Sequence, residues 1–200
     1  VTAQVAYASK AFACVAAYQL AEQENLSLDV VSGGELYTAI KAGFPAERIH
    51  FHGNNKSVAE LEMAFDTKIG CIVVDNFYEI ALLKEISEAK QQKMNILLRV
   101  TPGVEAHTHD FITTGQADSK FGFDLNNGQA DEAFAQVKDH PYLNLLGLHC
   151  HIGSQIFETK VYEDEAKILI SEIARINKKF NLNLSEINMG GGLGVTYTQQ

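Results

Sequence analysis

The sequence predicts an α/β fold, a partial (β/α)8 barrel of the TIM type with about seven of its eight strands. Short apolar runs of strand length alternate with stretches of helical periodicity along nearly the whole chain. Polar and glycine residues follow most of these runs directly, and a barrel collects such strand ends on one rim. An open doubly wound sheet would also bring its ligands to the carboxyl ends of strands, so that alternative remains open.

Seven runs read as strands, and helical stretches separate them. The runs are residues 5–8, 28–31, 49–51, 71–74, 96–100, 145–151 and 186–189. Two helices begin with Ser-x-x-Glu spacing, at Ser32 with Glu35 and at Ser57 with Glu60, which predicts capping boxes. Further helices are expected over 77–91, 130–138 and 161–180. Residues 101–127 show no sustained period, and a loop of that length is usually functional or disordered.

Composition excludes several classes of protein. The 200 residues are 46% apolar and 20% charged, which is typical of a folded chain rather than a disordered one. A formal charge of −9 argues against a nucleic-acid interface. No apolar run approaches the roughly 20 residues that cross a bilayer, and no secretory signal opens the chain. Three cysteines in apolar surroundings read as reduced thiols, so we expect a cytoplasmic protein.

A run of three glycines, Gly190, Gly191 and Gly192, follows the last strand and is the strongest local signal. Glycines let the backbone approach a phosphate, whose charge exposed N–H groups can bind. The dinucleotide pattern fails because Val195 stands where a glycine is needed, and no P-loop lysine follows. The run therefore favours a small phosphorylated ligand over a nucleotide, and a plain tight turn is the alternative.

Lys10 directly follows the first strand. Desolvating neighbours at a barrel mouth would lower the pKa of its amine, which favours the neutral form that attacks a carbonyl carbon. Most lysines at such a position are simply solvated. Lys10 becomes a candidate because a closed barrel would bring an early and a late strand end together.

Three His-x-His pairs raise the question of a metal site: His50 with His52, His107 with His109, and His149 with His151. Alternation along a strand puts both members of a pair on one face. A metal hydrolase needs further ligands on other strands, and no consistent set is visible, so we assign no metal residues. His151 is the member expected to do chemistry, because Gly153 and Ser154 follow it and its ring can stack on a planar ligand.

Six short motifs occur in order along the chain: YASK at 7–10, DVVSGGEL at 29–36, HGNNKS at 52–57, DSKFG at 118–122, HCHIGSQ at 149–155 and GGGLG at 190–194. Together they resemble the diaminopimelate decarboxylase family, pyridoxal-phosphate enzymes with the alanine-racemase-like barrel that ornithine and arginine decarboxylases share. Each motif alone is weak. Their order and spacing, over nearly the whole chain, make the resemblance specific.

The resemblance implies roles for individual residues. Lys10 would bind pyridoxal 5'-phosphate covalently, Asp29 would lie near this lysine and the cofactor, and His151 would stack on the pyridine ring. Ser154 and Gly190, Gly191 and Gly192 would hold the phosphate. The catalytic residues expected on this basis are Lys10 and His151. The implied reaction removes CO2 from meso-diaminopimelate and yields L-lysine, as part of lysine biosynthesis.

The family also uses residues that this sequence does not contain. A glutamate in a Glu-Pro-Gly-Arg segment pairs with the pyridine nitrogen, and a C-terminal β domain supplies a cysteine across a homodimer interface. We therefore expect residues 1–200 to be one cofactor-binding barrel domain, a fragment truncated at both ends and inactive by itself. An ornithine- or arginine-type decarboxylase, a non-catalytic cofactor-binding barrel and a metal-dependent hydrolase are the alternatives.

Overall fold

The computed structural model describes residues 2–102 and 121–197. Eight strands are present: β1 Ala6–Ala8, β2 Ser27–Val30, β3 Ile49–Phe51, β4 Cys71–Val74, β5 Met94–Thr101, β6 Phe123–Asp124, β7 Leu143–His149 and β8 Glu186–Asn188. The helices of the described residues are α1 Val15–Gln23, α2 Gly33–Lys41, α3 Val58–Asp66, α4 Phe77–Lys90, α5 Gln129–Val137 and α6 Thr159–Phe180, with short 3-10 turns at Ser9–Ala11 and Ala46–Arg48.

The strands form a parallel sheet with the order β1-β2-β3-β4-β5-β7-β8, and the short β6 pairs with β5. The predicted α/β class and partial TIM barrel are confirmed. All seven predicted strands are present, with ends that differ by at most two residues. The sequence analysis missed β6, because two residues are too few for a periodicity to show.

The chain divides into two compact units. The first draws on Val1–Leu97 and His140–Asn144, and the second on Leu98–Asp139 and Leu145–Gln200. In the first unit every residue of β4 is buried, as in a parallel strand covered on both faces. The core of the second unit includes Val100, Phe134, Leu148 and Leu169, all at most 1% exposed.

Only one of the two predicted capping boxes forms completely. At the start of α3, the Glu60 N–H donates to Ser57 Oγ, and the Glu60 carboxylate accepts from the Ser57 N–H. At α2 the Ser32 side chain caps the Glu35 N–H, but the Glu35 carboxylate accepts from the N–H of Val31 instead. The expectation of a full box at α2 was therefore wrong. The Glu35 carboxylate binds the N–H of Val31, one residue before the Ser32 N–H that a full box would use.

Three further expectations from the sequence concern the stretch 101–127, a membrane-spanning helix and the cysteines. Most of the aperiodic stretch 101–127, including His107 and His109, lies outside the described residues. Among the helices that are described, none combines the length and the apolar character that a membrane crossing requires. Cys14, Cys71 and Cys150 are free thiols, as expected.

Candidate active site

The carboxyl ends of β2 and β3 in the first unit bring Asp29, His50 and His52 together. Asp29 is the register partner of His50, so the two side chains leave the sheet on the same face. His52 follows two residues later on that face. Asp29 Oδ1 lies 3.5 Å from His50 Nδ1 and 3.3 Å from His52 Nε2. Burial would raise the pKa of the Asp29 carboxyl, but the contacts with both histidines outweigh it and hold this pKa well below its usual range.

Lys10 lies in the 3-10 turn that follows β1, also in the first unit. Ala8, two residues before it, is the register partner of Asp29, so the turn begins beside the end of β2. Lys10 is exposed, whereas its neighbour Ser9 is completely buried. The sequence argument expected desolvating neighbours around this amine, and the described residues of the first unit do not provide them.

A buried ion pair that sequence reasoning missed holds the HGNNKS segment. Lys56 Nζ donates to Glu79 Oε1 at 2.7 Å and to the carbonyl oxygens of Gly53 and Val73 at 2.8 and 2.7 Å. The other oxygen of Glu79 accepts from the N–H of Asp75. The loop after β3 is thereby fixed to the end of β4. A lysine in a polar loop gives no sequence signal that its ammonium is buried.

In the second unit, the ends of β7 and β8 bring His151 and the glycine run together. His149 pairs with Asn188, so the residues after both strands emerge side by side. The Gly191 N–H donates to His151 Nδ1 at 3.3 Å. That bond places the ring proton of a neutral His151 on Nε2 and fixes the orientation of its imidazole. Tyr162 of α6 donates to the carbonyl oxygen of Gly191 at 3.3 Å, which holds the run from its other side.

The three glycines differ in what surrounds them. A Cβ on Gly190 would lie 2.6 Å from the carbonyl oxygen of Cys150, and a Cβ on Gly192 would lie 1.9 Å from that of Gly153. Both positions also have positive φ, of 65° and 95°. A Cβ on Gly191 would meet nothing within 4 Å. Gly190 and Gly192 are therefore packed against backbone atoms, whereas the space beside Gly191 is open.

This arrangement fits a small phosphate group. Exposed Ser154 lies beside Gly192, because a Cβ on that glycine would come 3.3 Å from the Ser154 Cα. The N–H of Gly190 is already used by Asn188 Oδ1, and that of Gly191 by His151. Among the described residues, the donors beside the run that neither of these bonds uses include the Gly192 amide and the Ser154 hydroxyl.

Glu165 of α6 is a second feature that the sequence did not reveal. It is 2% exposed, and neither carboxylate oxygen has a hydrogen bond among the residues that the structure describes. Burial raises its pKa to about 7, and an opposing contact with Cys150 is smaller. The same burial, with Glu165 as a neighbour, raises the pKa of the Cys150 thiol well above its usual value, so Cys150 is an inert thiol at neutral pH.

Arg99 stacks on an aromatic ring. Its guanidinium lies 4.4 Å from the ring centroid of Phe121 in the second unit. A contact at this distance is a cation–π interaction, which Arg forms readily because its planar group is weakly hydrated.

Comparison with known proteins places the chain in a family. The family model described as pyridoxal-dependent decarboxylase, pyridoxal binding domain, matches residues 1–200. A diaminopimelate decarboxylase of Bacillus subtilis is 60% identical over 98% of this chain and 45% of its own length, and one of Staphylococcus aureus is 47% identical with the same coverage. The crystal structure of diaminopimelate decarboxylase from M. jannaschii in complex with L-lysine matches with a TM-score of 0.92 and 35% identity, over 98% of this chain and 45% of that one.

The match extends along the full chain, while the chain spans a little under half the length of these relatives. The expected cofactor class, a pyridoxal compound, is the one that the family model carries in its description. The chain belongs to the pyridoxal-dependent decarboxylase family, whose pyridoxal-binding domain it represents.

Proposed function

We propose that residues 1–200 are the cofactor-binding barrel domain of a diaminopimelate decarboxylase, and that the whole protein converts meso-diaminopimelate to L-lysine and CO2. The observation that carries the substrate assignment is the 60% identity to the B. subtilis diaminopimelate decarboxylase over nearly the whole chain. A lysine/ornithine decarboxylase from Vibrio vulnificus shares the fold at only 21% identity, which favours diaminopimelate over ornithine or arginine as substrate.

Pyridoxal phosphate, when bound, supplies an electron sink for the electron pair released as the bond to the carboxylate breaks. Lys10 is the residue assigned to hold its aldehyde carbon, since an exposed amine beside the end of β2 is accessible to the aldehyde. Asp29, anionic over the whole physiological range, provides a fixed negative charge at the end of β2.

The second unit supplies the other assigned residues. Ser154 and the glycine run hold the phosphate, with Gly191 offering an open stretch of backbone. His151 presents an imidazole whose orientation is fixed by the Gly191 N–H, and a ring held in this way can stack on a planar pyridine. The task of these residues is alignment, because only a bond held perpendicular to the ring plane breaks readily.

Two further properties belong to the same proposal. We infer a cytoplasmic enzyme from the three free thiols, since cysteines stay reduced in that compartment. We infer a homodimer from the resemblance alone, because the family completes its active site with residues of a partner subunit.

The proposal is tested with the full-length protein and its Lys10→Ala and Lys93→Ala variants. Lys93 is an exposed lysine outside the candidate site and serves as the matched control. We expect CO2 release from meso-diaminopimelate by the wild type and by Lys93→Ala, and loss of both turnover and cofactor absorbance in Lys10→Ala. Release from ornithine or arginine but not from diaminopimelate would overturn the substrate, and unchanged absorbance in Lys10→Ala would overturn the role of that lysine.

Gly191→Ala tests the phosphate site separately. Because the added methyl group points into open space, the fold should be unaffected. A methyl group at the open centre of the run blocks close approach of a phosphate, so we expect weaker binding of pyridoxal phosphate. An affinity equal to that of the wild type would show that the phosphate binds elsewhere.

A further inference from the structure

Asp29, His50 and His52 form a cluster whose donor atoms converge. These atoms are Asp29 Oδ1, His50 Nδ1 and His52 Nε2, and they all lie within 4.8 Å of one another. Over residues 2–102 and 121–197, no other group of three His, Cys, Asp or Glu side chains converges in this way. The cluster lies entirely within the first unit and on two adjacent strands, so the register of β2 with β3 determines it.

The separations within the cluster match those of a tetrahedral metal site. Zn²⁺ binds histidine nitrogen and carboxylate oxygen at about 2.0–2.1 Å, so two ligands at a tetrahedral angle are about 3.3–3.4 Å apart. The two N···O distances to Asp29 Oδ1 are 3.3 and 3.5 Å. Both distances to Asp29 Oδ1 therefore suit a shared cation, and the two histidine nitrogens lie within 4.8 Å of each other.

Ordinary hydrogen bonding leaves this arrangement poorly explained. Both ring nitrogens approach the same carboxylate oxygen, at distances longer than the usual 2.9–3.0 Å of an N–H···O bond. Asp29 Oδ1 and His50 Nδ1 are shielded from solvent and form no hydrogen bond of acceptable geometry among the residues described. A buried polar atom in that condition is costly, and a shared cation would satisfy both.

We propose that Asp29, His50 and His52 bind a divalent transition-metal ion such as Zn²⁺ through these three atoms. Two histidines and one carboxylate are a donor set that Zn²⁺ accepts, with a fourth position left for water. The side chains are 22%, 20% and 12% exposed, while Asp29 Oδ1 and His50 Nδ1 are shielded, so a side chain has to move to admit the ion and its water. The geometry of the site is set by the register of β2 with β3, and Asp29 is the one residue that it shares with the proposed cofactor site.

The test uses the full-length protein, freed of metal with a chelator and titrated with Co²⁺ in the absence of added cofactor. We expect the visible absorption of four-coordinate Co²⁺ at one ion per chain, and its displacement by Zn²⁺. His50→Ala and His52→Ala should each weaken binding on the order of 100-fold or more, because even outer-shell changes cost 10–100-fold. His140→Ala is the matched control, since His140 pairs with Glu88 at a different place in the fold.

Two results would overturn the proposal: no such absorption in the wild type, or absorption that survives both histidine substitutions. Asp29→Asn gives a second measurement should a histidine variant fold poorly, and it too should weaken binding. Lys10→Ala should leave Co²⁺ binding unchanged. That variant separates this proposal from the decarboxylase assignment, because loss of cofactor absorbance there leaves the metal titration intact.

Discussion

Lys56 Nζ lies 2.7 Å from Glu79 Oε1, and the two side chains are 1% and 4% exposed. The pair joins the loop after β3 to the first turn of α4, and two carbonyl oxygens accept the remaining protons of the ammonium. A buried pair of this kind has a large desolvation cost, and its attraction is favourable only when such additional hydrogen bonds are made. The pair therefore holds the loop after β3 against the end of β4 and the start of α4.

Removing one partner of this pair should be more costly than removing both. We expect Glu79→Leu and Lys56→Met each to lower the free energy of unfolding by about 3–5 kcal/mol, because each leaves an uncompensated buried charge. The double variant should be more stable than either single variant. Urea unfolding of the full-length protein measures all three. Additive costs in the double variant would contradict the expected coupling.

The glycine run gives a second prediction about stability. Gly192→Ala places a Cβ against the Gly153 carbonyl oxygen at a residue with positive φ, so backbone must move. We expect a loss of more than about 2 kcal/mol in unfolding free energy. Gly191→Ala is the matched control and should stay within about 1 kcal/mol of the wild type. Equal losses in the two variants would contradict the packing described for the run.

The strands and helices could be predicted well because their periodicity is local. Phe51 and Val74 end short runs of strand length, and polar residues follow both directly. The full capping box at Glu35 was wrong for a reason that spacing cannot reveal. Ser-x-x-Glu spacing brings the carboxylate near two N–H groups, those of Ser32 and Val31, and the backbone path decides which one it binds.

The site was harder to predict because its contacts depend on strand register. The His50/His52 pair is visible in the sequence, but its partner Asp29 lies 21 positions earlier, and only the alignment of β2 with β3 makes them neighbours. Glu165 gave no signal either. It lies on the buried face of α6 with Val161 and Leu169, but a glutamate in a charged helix is ordinarily a solvated residue, so nothing in the sequence predicts its burial.

Glu60 connects two helix starts and provides a third prediction. Its Oε1 accepts from the Gly33 N–H at the start of α2, and its Oε2 accepts from the N–H and hydroxyl of Ser57. We expect Glu60→Ala to cost about 1–2 kcal/mol, since two helix N-termini lose an acceptor. Glu62 lies two residues further along the same helix, and Glu62→Ala should lower the free energy of unfolding by less than about 0.5 kcal/mol.

The pH dependence of the Glu60 contribution follows from its pKa. Burial opposes the shift, but the hydrogen bonds from Ser57 and Gly33 lower the pKa of this carboxyl. A lowered pKa means stability that is present above the unfolded-state value and lost as the pH falls through the folded-state value. Thermal unfolding at pH 7 and pH 3 should therefore show a smaller difference between wild type and Glu60→Ala at the lower pH.

The contribution of Glu165 to stability should change with pH in the opposite direction to that of Glu60. Its pKa rises from 4.5 to about 7 on folding, so the folded state holds the proton more tightly than the unfolded chain does. The associated stability is fully present below pH 4.5 and is lost as the pH rises through 7. A shift of this size corresponds to at most about 3 kcal/mol. Glu165→Gln keeps the shape of the side chain and removes its titration. The free energy of unfolding of this variant should therefore rise relative to that of the wild type between pH 5 and pH 8.

The measurement is the free energy of urea unfolding of both proteins at several pH values, taken as the difference between variant and wild type so that other carboxyls cancel. Glu163→Gln is the matched control on the same helix. Lys167 and Lys160 lower the pKa of Glu163, so its contribution is lost on acidification rather than gained. A difference for Glu165→Gln that stays flat across this range would mean that the carboxyl reaches water in solution, because only desolvation raises its pKa.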